Sequence, residues 1–304
     1  MDGILNILKP SGLTSFSVVS QVRRLAHEPK AGHVGTLDPL ASGVLPVFLG
    51  QATRLTEYLM EFPKTYRAIV ELGVATASYD AEGRVTGRSD ASGISLDNVA
   101  EVLQRFRGEI QQTPPVYSAL KYRGQPLYKL ARQGLSMEVD SRPTSIYRLD
   151  IVSSQLPFVT LDVECSKGTY IRSLAHDMGA ILGCGAYLKE LIRTSYGPFD
   201  IKDSVMLEQL EERVTCGKWH ELVHPMDVVL SLWEKFELSD DQVESVQHGT
   251  GLALEVRAET ARLRVYNKAG RFIALLKFDI ESRLWRPQKV FHQPQVLAEN
   301  KPNP

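Results

Sequence analysis

The chain has 304 residues, which is enough for one large domain and a second, small one. Its hydrophobic content of 43% and formal net charge of −1 are typical of a globular protein, and no apolar run approaches the roughly 18 residues of a membrane-spanning helix. The three cysteines lie far apart and the N-terminus lacks the pattern of a signal peptide, so we expect reduced thiols and a cytoplasmic location.

The first elements in chain order are a short apolar strand at residues 4–8 and a helix, capped by Thr14 or Ser15, that runs to about residue 27. Residues 32–45 follow, with three glycines, one proline, one histidine and one carboxylate. Glycine and proline at this density predict a folded-back loop rather than the interior of a helix or strand.

The carboxylate of this loop belongs to Asp38. A loop with a fixed backbone would hold the carboxylate in one place, as a catalytic group requires, and we interpret Asp38 as the residue that carries the chemistry. The alternative is that Asp38-Pro39 begins a turn whose carboxylate accepts hydrogen bonds from local N–H groups. The spacing alone leaves both interpretations open.

Residues 66–74 alternate between apolar and polar side chains, which predicts a half-buried strand followed by a turn at 80–83. Ser95 then caps a helix. Regular periodicity fades over residues 113–142, where four bases at 121–132 interleave with tyrosines. This pattern suits a nucleic acid, with cations on phosphates and rings on bases, although a solvated hairpin could have the same composition.

Strands at 146–152 and 159–165 lead through a turn into a helix with one apolar stripe. Arg172 stands near the helix start and off that stripe, so it could be a surface residue or the partner of a carboxylate. The segment 187–193 closes this part of the chain. The buried stripe is predicted to contain Ile171, Leu174, Ala175, Met178, Ile181 and Leu182.

Charge is unevenly distributed over the last third of the chain. Residues 203–244 hold eleven acids against three bases, and we expect the domain boundary near 230–236. From residue 251 to the end ten bases face five acids, and two apolar runs around a turn at 268–270 predict a hairpin in a small β-rich domain. Such basic segments are compatible with phosphate contact, and equally with a solvated face.

The sequence contains no phosphate-binding P-loop, no GxSxG nucleophile elbow and no metal-ligand cluster, so we expect neither a cofactor nor a metal. What remains is a glycine-rich loop with one carboxylate, an arginine at a helix start, and tyrosines at positions 66 and 170. This set suits a reaction that uses one ionised carboxylate in an aromatic pocket.

Five segments resemble, in the same order along the chain, the TruB family of tRNA pseudouridine-55 synthases. The resemblance extends from about residue 4 to about residue 200, and the long loop is its most specific part. The C-terminal hairpin domain is similar, more weakly, to the PUA-type RNA-binding module of bacterial members. The five segments are KPSGLTS (9–15), GHVGTLDPLASG (32–43), KTYRA (64–68), PPVYSALK (114–121) and GTYIRSL (168–174).

The resemblance implies an α+β fold, in which a mixed, largely antiparallel sheet flanked by helices forms the pseudouridine-synthase core. The implied organisation is a catalytic domain at 1–230 with an RNA-binding excursion at 113–142. A PUA-like RNA-binding domain at 236–295 and a flexible tail at 296–304 would follow.

The implied activity is the isomerisation of uridine 55 in the T loop of tRNA to pseudouridine, without a cofactor. Asp38 matches the catalytic aspartate of the family, and Arg172 matches the arginine that pairs with it. Attack on C6 of the base, attack on C1′ and removal of the ribose 2′ proton all fit a lone carboxylate. In each route Asp38 must be ionised; burial would raise its pKa, and we expect the arginine to reverse that effect.

The target base must be flipped out of the RNA, at a cost of a few kcal/mol. By resemblance, Tyr66 stacks on the flipped base, and His33 fills the gap that the base leaves; without the resemblance His33 would be taken as an ordinary loop histidine. Lys9 matches a residue that supports the loop. Further pocket positions correspond to Tyr170 and Leu191.

The chain departs from the family pattern Thr-Asp-Thr-x-Asp in one place. Residues 76–80 read TASYD, with Ala77 in place of the first aspartate, which puts any polar contact at that position in doubt. Two other functions stay open: an RNA chaperone that refolds the tRNA elbow, and a guide-RNA-dependent enzyme of the same superfamily. The short N-terminus and the absence of basic tails favour a stand-alone enzyme that acts on the tRNA T stem-loop without a guide RNA. We also expect a monomer that does not associate with a membrane.

Overall fold

A computed structural model of the chain describes residues 1–118, 120–122, 124–133, 139–256 and 261–292. The chain forms two compact units, residues 1–226 and 227–304. The predicted tail at 296–304 and parts of the predicted excursion lie outside the described residues. None of the described helices is long and apolar enough to cross a membrane.

The first unit is built on one large sheet. The strands of this unit are β1 (Gly3–Lys9), β2 (Ala31–His33), β3 (Ser42–Leu49), β4 (Lys64–Leu72), β5 (Val74–Thr76), β6 (Val85–Arg88), β7 (Gly108–Gln112), β8 (Lys121–Tyr122), β9 (Gln125–Pro126), β10 (Arg142–Gln155), β11 (Phe158–Cys165), β12 (Ala186–Tyr196), β13 (Phe199–Asp200) and β14 (Val223–His224). Strands β5 and β6, and likewise β8 and β9, pair outside the large sheet. Its α-helices are α1 (Ser15–Leu25), α2 (Thr56–Met60), α3 (Leu96–Gln104), α4 (Leu127–Arg132), α5 (Ile171–Leu182) and α6 (Leu207–Thr215). Short 3-10 helices lie at Gly50–Leu55, Ile201–Asp203, Trp219–Leu222 and Met226–Leu230.

Among the described residues, the large sheet has the strand order β14-β1-β3-β12-β4-β11-β10-β7, with β2 on β3 and β13 on β12. The pair β3 and β12 is parallel, whereas the other neighbouring pairs are antiparallel. Helices α3 and α5 pack with β4, β10, β11 and β12 in one apolar cluster, while α1 and α6 pack with β1 and β3 in another. The predicted α+β fold with a mixed, largely antiparallel sheet is confirmed.

Local signals explain where the helices begin. The hydroxyl of Thr14 accepts a hydrogen bond from the Ser17 amide and caps α1, as the sequence predicts. Ser95 and Asn98 form a reciprocal capping box at the start of α3. Gly183, with a φ of 77°, ends α5 in the left-handed conformation.

Two predictions about elements are wrong in detail. Ile181 is 43% exposed and does not belong to the buried stripe of α5. The strand predicted at 66–74 is interrupted at Gly73, where a φ of +83° separates β4 from β5. The segment 187–193, to which the sequence analysis assigns no element, is part of β12, which lies in the middle of the sheet between β3 and β4.

The second unit is a smaller sheet with one α-helix among its described residues. Its strands pair in the order β15-β16-β17-β18, and the predicted hairpin is β16 with β17. Leu263, Val265, Leu276 and Trp285 are among the residues of its own core. The elements are β15 (Glu234–Glu237), α7 (Asp240–Gln247), β16 (Arg262–Tyr266), β17 (Phe272–Asp279) and β18 (Leu284–Val290).

Candidate active site

A single row of residues across four strands underlies the site. Lys9 of β1 pairs with Gly43 of β3, Gly43 with Arg193 of β12, and Arg193 with Tyr66 of β4. Gly43 has a φ of +106°, and a Cβ there would lie 2.2 Å from the Arg193 carbonyl oxygen. Only glycine allows this approach of β3 to β12. The Asp38 loop, which runs directly into β3, is therefore anchored to the central strand at its C-terminal end.

The end of β1 and the start of α1 hold the loop from its other side. The buried Lys9 ammonium donates to the carbonyls of Ala41 (2.5 Å) and Pro39 (3.3 Å). The Ser15 hydroxyl accepts from the Leu37 amide (2.9 Å) and donates to the Leu37 carbonyl (3.0 Å). Burial lowers the pKa of Lys9 to about 8, with the nearby Asp38 carboxylate opposing the shift. Lys9 thus contacts the backbone of the loop, which fits the supporting role predicted for it.

Arg193 is a site residue that the sequence did not reveal. It is fully buried, and its guanidinium donates to the carbonyls of Val44 (2.7 Å) and Gly35 (2.6 Å), one on each side of Asp38. A Cβ on Gly35 would lie 2.8 Å from the Tyr196 ring, so this end of the loop also needs glycine. A single arginine within a strand gives no sequence signal that it will bind the backbone of a distant loop.

The Asp38 carboxylate forms an ion pair with Arg172, with an Oδ2–Nε distance of 2.9 Å. The Arg172 side chain is only 5% exposed, so the alternative of a surface helix residue is wrong. A turn does form, because the Ala41 amide donates to the Asp38 carbonyl at 3.1 Å, but the Asp38 side chain faces the arginine. With 39% of its surface exposed, the Asp38 side chain is also open to an incoming molecule.

A second carboxylate shares the same guanidinium. Asp80 Oδ2 lies 3.3 Å from Arg172 Nη1, and the Asp80 side chain is only 5% exposed. The Ser78 hydroxyl donates to Asp80, while Arg172 also donates to the carbonyls of Ser78 (3.2 Å) and Tyr117 (2.9 Å). The arginine is thereby fixed from several directions. The sequence offered one signal for this second carboxylate, the aspartate that ends the TASYD segment. The loop brings Asp80 to Arg172 even though Ala77 replaces the first aspartate of the family pattern.

The two carboxylates set the charge balance of the pocket. Burial raises the pKa of Asp38, Arg172 lowers it, and Asp80 raises it again; the pKa remains above the ordinary aspartate value of 3.8. In the free protein Arg172 does not reverse the effect of burial on this pKa, because burial is the largest influence and Asp80 adds to it. Arg172 opposes the combined effects of burial and Asp80 without overcoming them, so Asp38 is easier to protonate than a solvated aspartate.

The predicted pocket residues lie on several elements around Asp38. Tyr66 and Leu191 are buried with Leu37 in one apolar cluster, and burial raises the pKa of Tyr66 to about 12 with Arg193 opposing. Tyr170 precedes α5, and the Gln112 side chain fixes its backbone through bonds of 2.7 and 3.1 Å.

His33 ends β2 at the start of the same loop as Asp38. Its ring lies 3.2 Å from the Thr36 hydroxyl, and burial lowers its pKa, with Arg193 as a further cause. The neutral ring is therefore favoured. The structure places His33 within the Asp38 loop, where its ring contacts the Thr36 hydroxyl.

Two family models match the chain: the TruB family pseudouridylate synthase N-terminal domain at residues 23–171, and the tRNA pseudouridylate synthase B C-terminal domain at residues 172–231. The chain belongs to the TruB family. Members of this family are pseudouridine synthases, RNA-modifying isomerases, and the enzyme class predicted from the sequence is confirmed.

Similar proteins cover almost the whole chain. A tRNA pseudouridine synthase B of Dehalococcoides mccartyi is 45% identical over 97% of this chain and 98% of its own length. One of Pseudomonas aeruginosa is 40% identical over 93% and 94%, respectively. Among solved structures, a Cbf5-Nop10-Gar1 complex matches with a TM-score of 0.73 and 28% identity over 95% of this chain and 85% of the matched chain.

Proposed function

We propose that this TruB-family enzyme converts uridine 55 in the T loop of tRNA to pseudouridine without a cofactor. The bond from ribose C1′ to N1 of the base is broken, and a bond from C1′ to C5 replaces it. The observation that carries the proposal is the open Asp38 carboxylate, held by a buried arginine in an anchored loop. The names of the related proteins support tRNA as the substrate.

Asp38 acts on C6, on C1′ or on the ribose 2′ proton, and each route needs its ionised form. The raised pKa of free Asp38 makes Arg172 necessary, because the arginine is the strongest opposing influence on that pKa. Tyr66 stacks on the flipped base, Tyr170 and Leu191 line the pocket, and His33 occupies the gap in the RNA. Replacement stacking offsets the few kcal/mol that flipping costs.

The first test is to incubate the purified chain with unmodified tRNA and to map pseudouridine. We expect modification at position 55, and modification at another position would contradict the proposed specificity. Asp38→Asn should abolish tritium release from tRNA labelled at uridine C5, while tRNA binding stays near normal. Asp162→Asn, which removes a carboxylate of the Arg67 surface ion pair, is the matched control and should retain activity.

The same experiment separates a stand-alone enzyme from a guide-dependent one. The solved structures that resemble this chain include an H/ACA RNP bound to a substrate RNA and the Nop10-Cbf5 complex of an archaeal box H/ACA sRNP. The closer sequence relatives carry the name tRNA pseudouridine synthase B, which favours direct recognition of tRNA. Modification of naked tRNA by the chain alone would support the stand-alone function, and a requirement for added guide RNA would contradict it.

We also propose that the second unit is the PUA-like RNA-binding domain expected at 236–295. Arg262, Lys277 and Arg286 lie directly opposite one another on three adjacent strands. Like charges in this arrangement repel. Asp279 pairs with Arg286 at 2.7 Å, and the Arg262 guanidinium lies over the Trp233 ring, 5.1 Å from its centroid. A sugar-phosphate backbone would neutralise the row.

An RNA chaperone activity could use the same basic row without any chemistry. tRNA refolding should therefore persist in the Asp38→Asn variant if the chain has this second function. If the Asp38→Asn variant loses both tRNA refolding and pseudouridine formation, the result would argue against an independent chaperone role.

A further inference from the structure

Tyr79 has an unusual backbone conformation next to the active site. Its φ is +65°, in the left-handed region that aromatic residues rarely adopt. Its two chain neighbours are Ser78 and Asp80, which both contact Arg172. Residues in such conformations persist where the surrounding structure fixes them, and they concentrate at functional sites.

The Tyr79 ring is stacked on His176 of α5. The ring centroids are 3.8 Å apart and the planes differ by 13°. Arg172 and His176 are four residues apart on α5, so they lie on one face of the helix, about 6 Å apart along its axis. Successive turns of α5 thus present a guanidinium to Asp38 and Asp80 and an imidazole to Tyr79.

Hydrogen bonds hold the backbone of this loop independently of the stacked rings. The Tyr79 carbonyl accepts from the Leu188 amide at 2.9 Å, and Thr76 donates its hydroxyl to the Asp80 carbonyl at 2.8 Å. Tyr79 and His176 are both partly exposed and are not among the residues of the apolar core. Two stacked, partly exposed rings, next in the chain to residues that contact Arg172 and on a backbone that other bonds hold, are a surface suited to a further flat group.

We propose that Tyr79 and His176 form a nucleobase-binding platform, on which a base adjacent to the flipped uridine stacks. This inference rests on the proposed function, since it requires an RNA with one base extruded towards Asp38. Extrusion removes a stacking partner from each neighbouring base, and an aromatic ring one helical turn from Arg172 replaces that partner. Stacking on a ring tolerates any base, so the platform contributes affinity rather than sequence preference.

The test compares two variants on two kinds of T stem-loop RNA. Tyr79→Gly removes the ring and relieves the left-handed backbone, so the fold should be retained, while Tyr79→Phe keeps the ring. On intact RNA we expect Tyr79→Gly to raise KM and the Kd about 10-fold with little change in kcat, and Tyr79→Phe to match the unmodified enzyme. On RNA with an abasic nucleotide 5′ or 3′ of the target uridine, one of the two substrates should abolish the difference between the variants.

Three results would overturn the platform. A fall in kcat that is equal on intact and abasic RNA would show that Tyr79 positions Asp80 instead. An unchanged Kd for Tyr79→Gly would show that the ring does not contact RNA, and a difference that persists on both abasic substrates would exclude the adjacent bases. The Kd measurements need no turnover, so they test the platform even if the enzyme without substitutions does not convert uridine 55. That failure would refute the proposed function but not the platform.

Discussion

The pocket around Asp38 and the C-terminal face, the side of the second unit's sheet that carries Arg262, Lys277 and Arg286, use charge in opposite ways. In the pocket a nearly buried Arg172 is shared by two carboxylates, and its guanidinium also donates to the main-chain carbonyls of Ser78 and Tyr117. On the C-terminal face, by contrast, Arg262 and Lys277 lie side by side in register, and Lys277 is exposed.

The difference separates two tasks that charge performs. Charges shielded from water interact strongly and are little screened by salt, so the pocket can set the protonation of Asp38. Exposed charges are screened and weak one by one, but a row of them attracts a polyanion. Variants in the pocket should therefore change kcat and its pH dependence, and variants on the C-terminal face should change affinity and its salt dependence.

The largest effect is expected for Arg172→Gln. The change leaves Asp80 buried without its cation, which should lower the free energy of unfolding by about 3 kcal/mol. It also removes the main influence that lowers the pKa of Asp38, so activity should fall about 1,000-fold and the acid limb of kcat/KM should move to higher pH. Thermal unfolding and a pH–rate profile measure the two effects.

Arg148→Gln is the matched control for that variant. Arg148 forms ion pairs with Asp150 and Glu164 at the surface, where all three side chains are substantially exposed. Its loss should cost less than about 1 kcal/mol and leave activity unchanged. Equal effects of the two substitutions would contradict the distinction between pocket and surface.

Asp80→Asn should have an intermediate effect that tests the shared guanidinium. Arg172 loses one anchor, and kcat should fall about 10- to 100-fold because Asp38 is less well positioned. Asp80 raises the pKa of Asp38, so its neutralisation lowers that pKa. An active form that requires ionised Asp38 then persists to lower pH, and the acid limb of kcat/KM should shift downward. A shift to higher pH would show that Asp80 acts in another way.

The smallest effect is expected for Lys277→Gln on the C-terminal face. tRNA affinity should weaken a few-fold, and the slope of log K against log salt should decrease by about one, with kcat unchanged. Lys268→Gln is the control, because Lys268 has the same charge but pairs with Asp240 at a turn of the same unit. If both variants behave alike, the basic row is not a specific RNA surface.

Much of the site could be predicted from the sequence because its residues stand in short, rigid segments. Glycine and proline around Asp38 indicate a constrained loop, and the helix near whose start Arg172 lies is marked by its apolar spacing. Arg193 could not be predicted, since its partners Gly35 and Val44 are about 150 residues away in the chain. The burial of Arg172 was missed for the same reason: it is buried by contacts with distant loops, not by the stripe of its own helix.

The sequence by itself determined the local elements, the loop that bears the carboxylate and, through its motifs, the family. Only the tertiary structure decided how the charges are shared. It brought Asp38 and Asp80 to one guanidinium and placed Lys9 and Arg193 on the backbone of the loop. The physical reason is that propensity and periodicity act over a few residues, whereas the pKa of Asp38 depends on burial and charges that strand pairing and loop packing assemble from the whole unit.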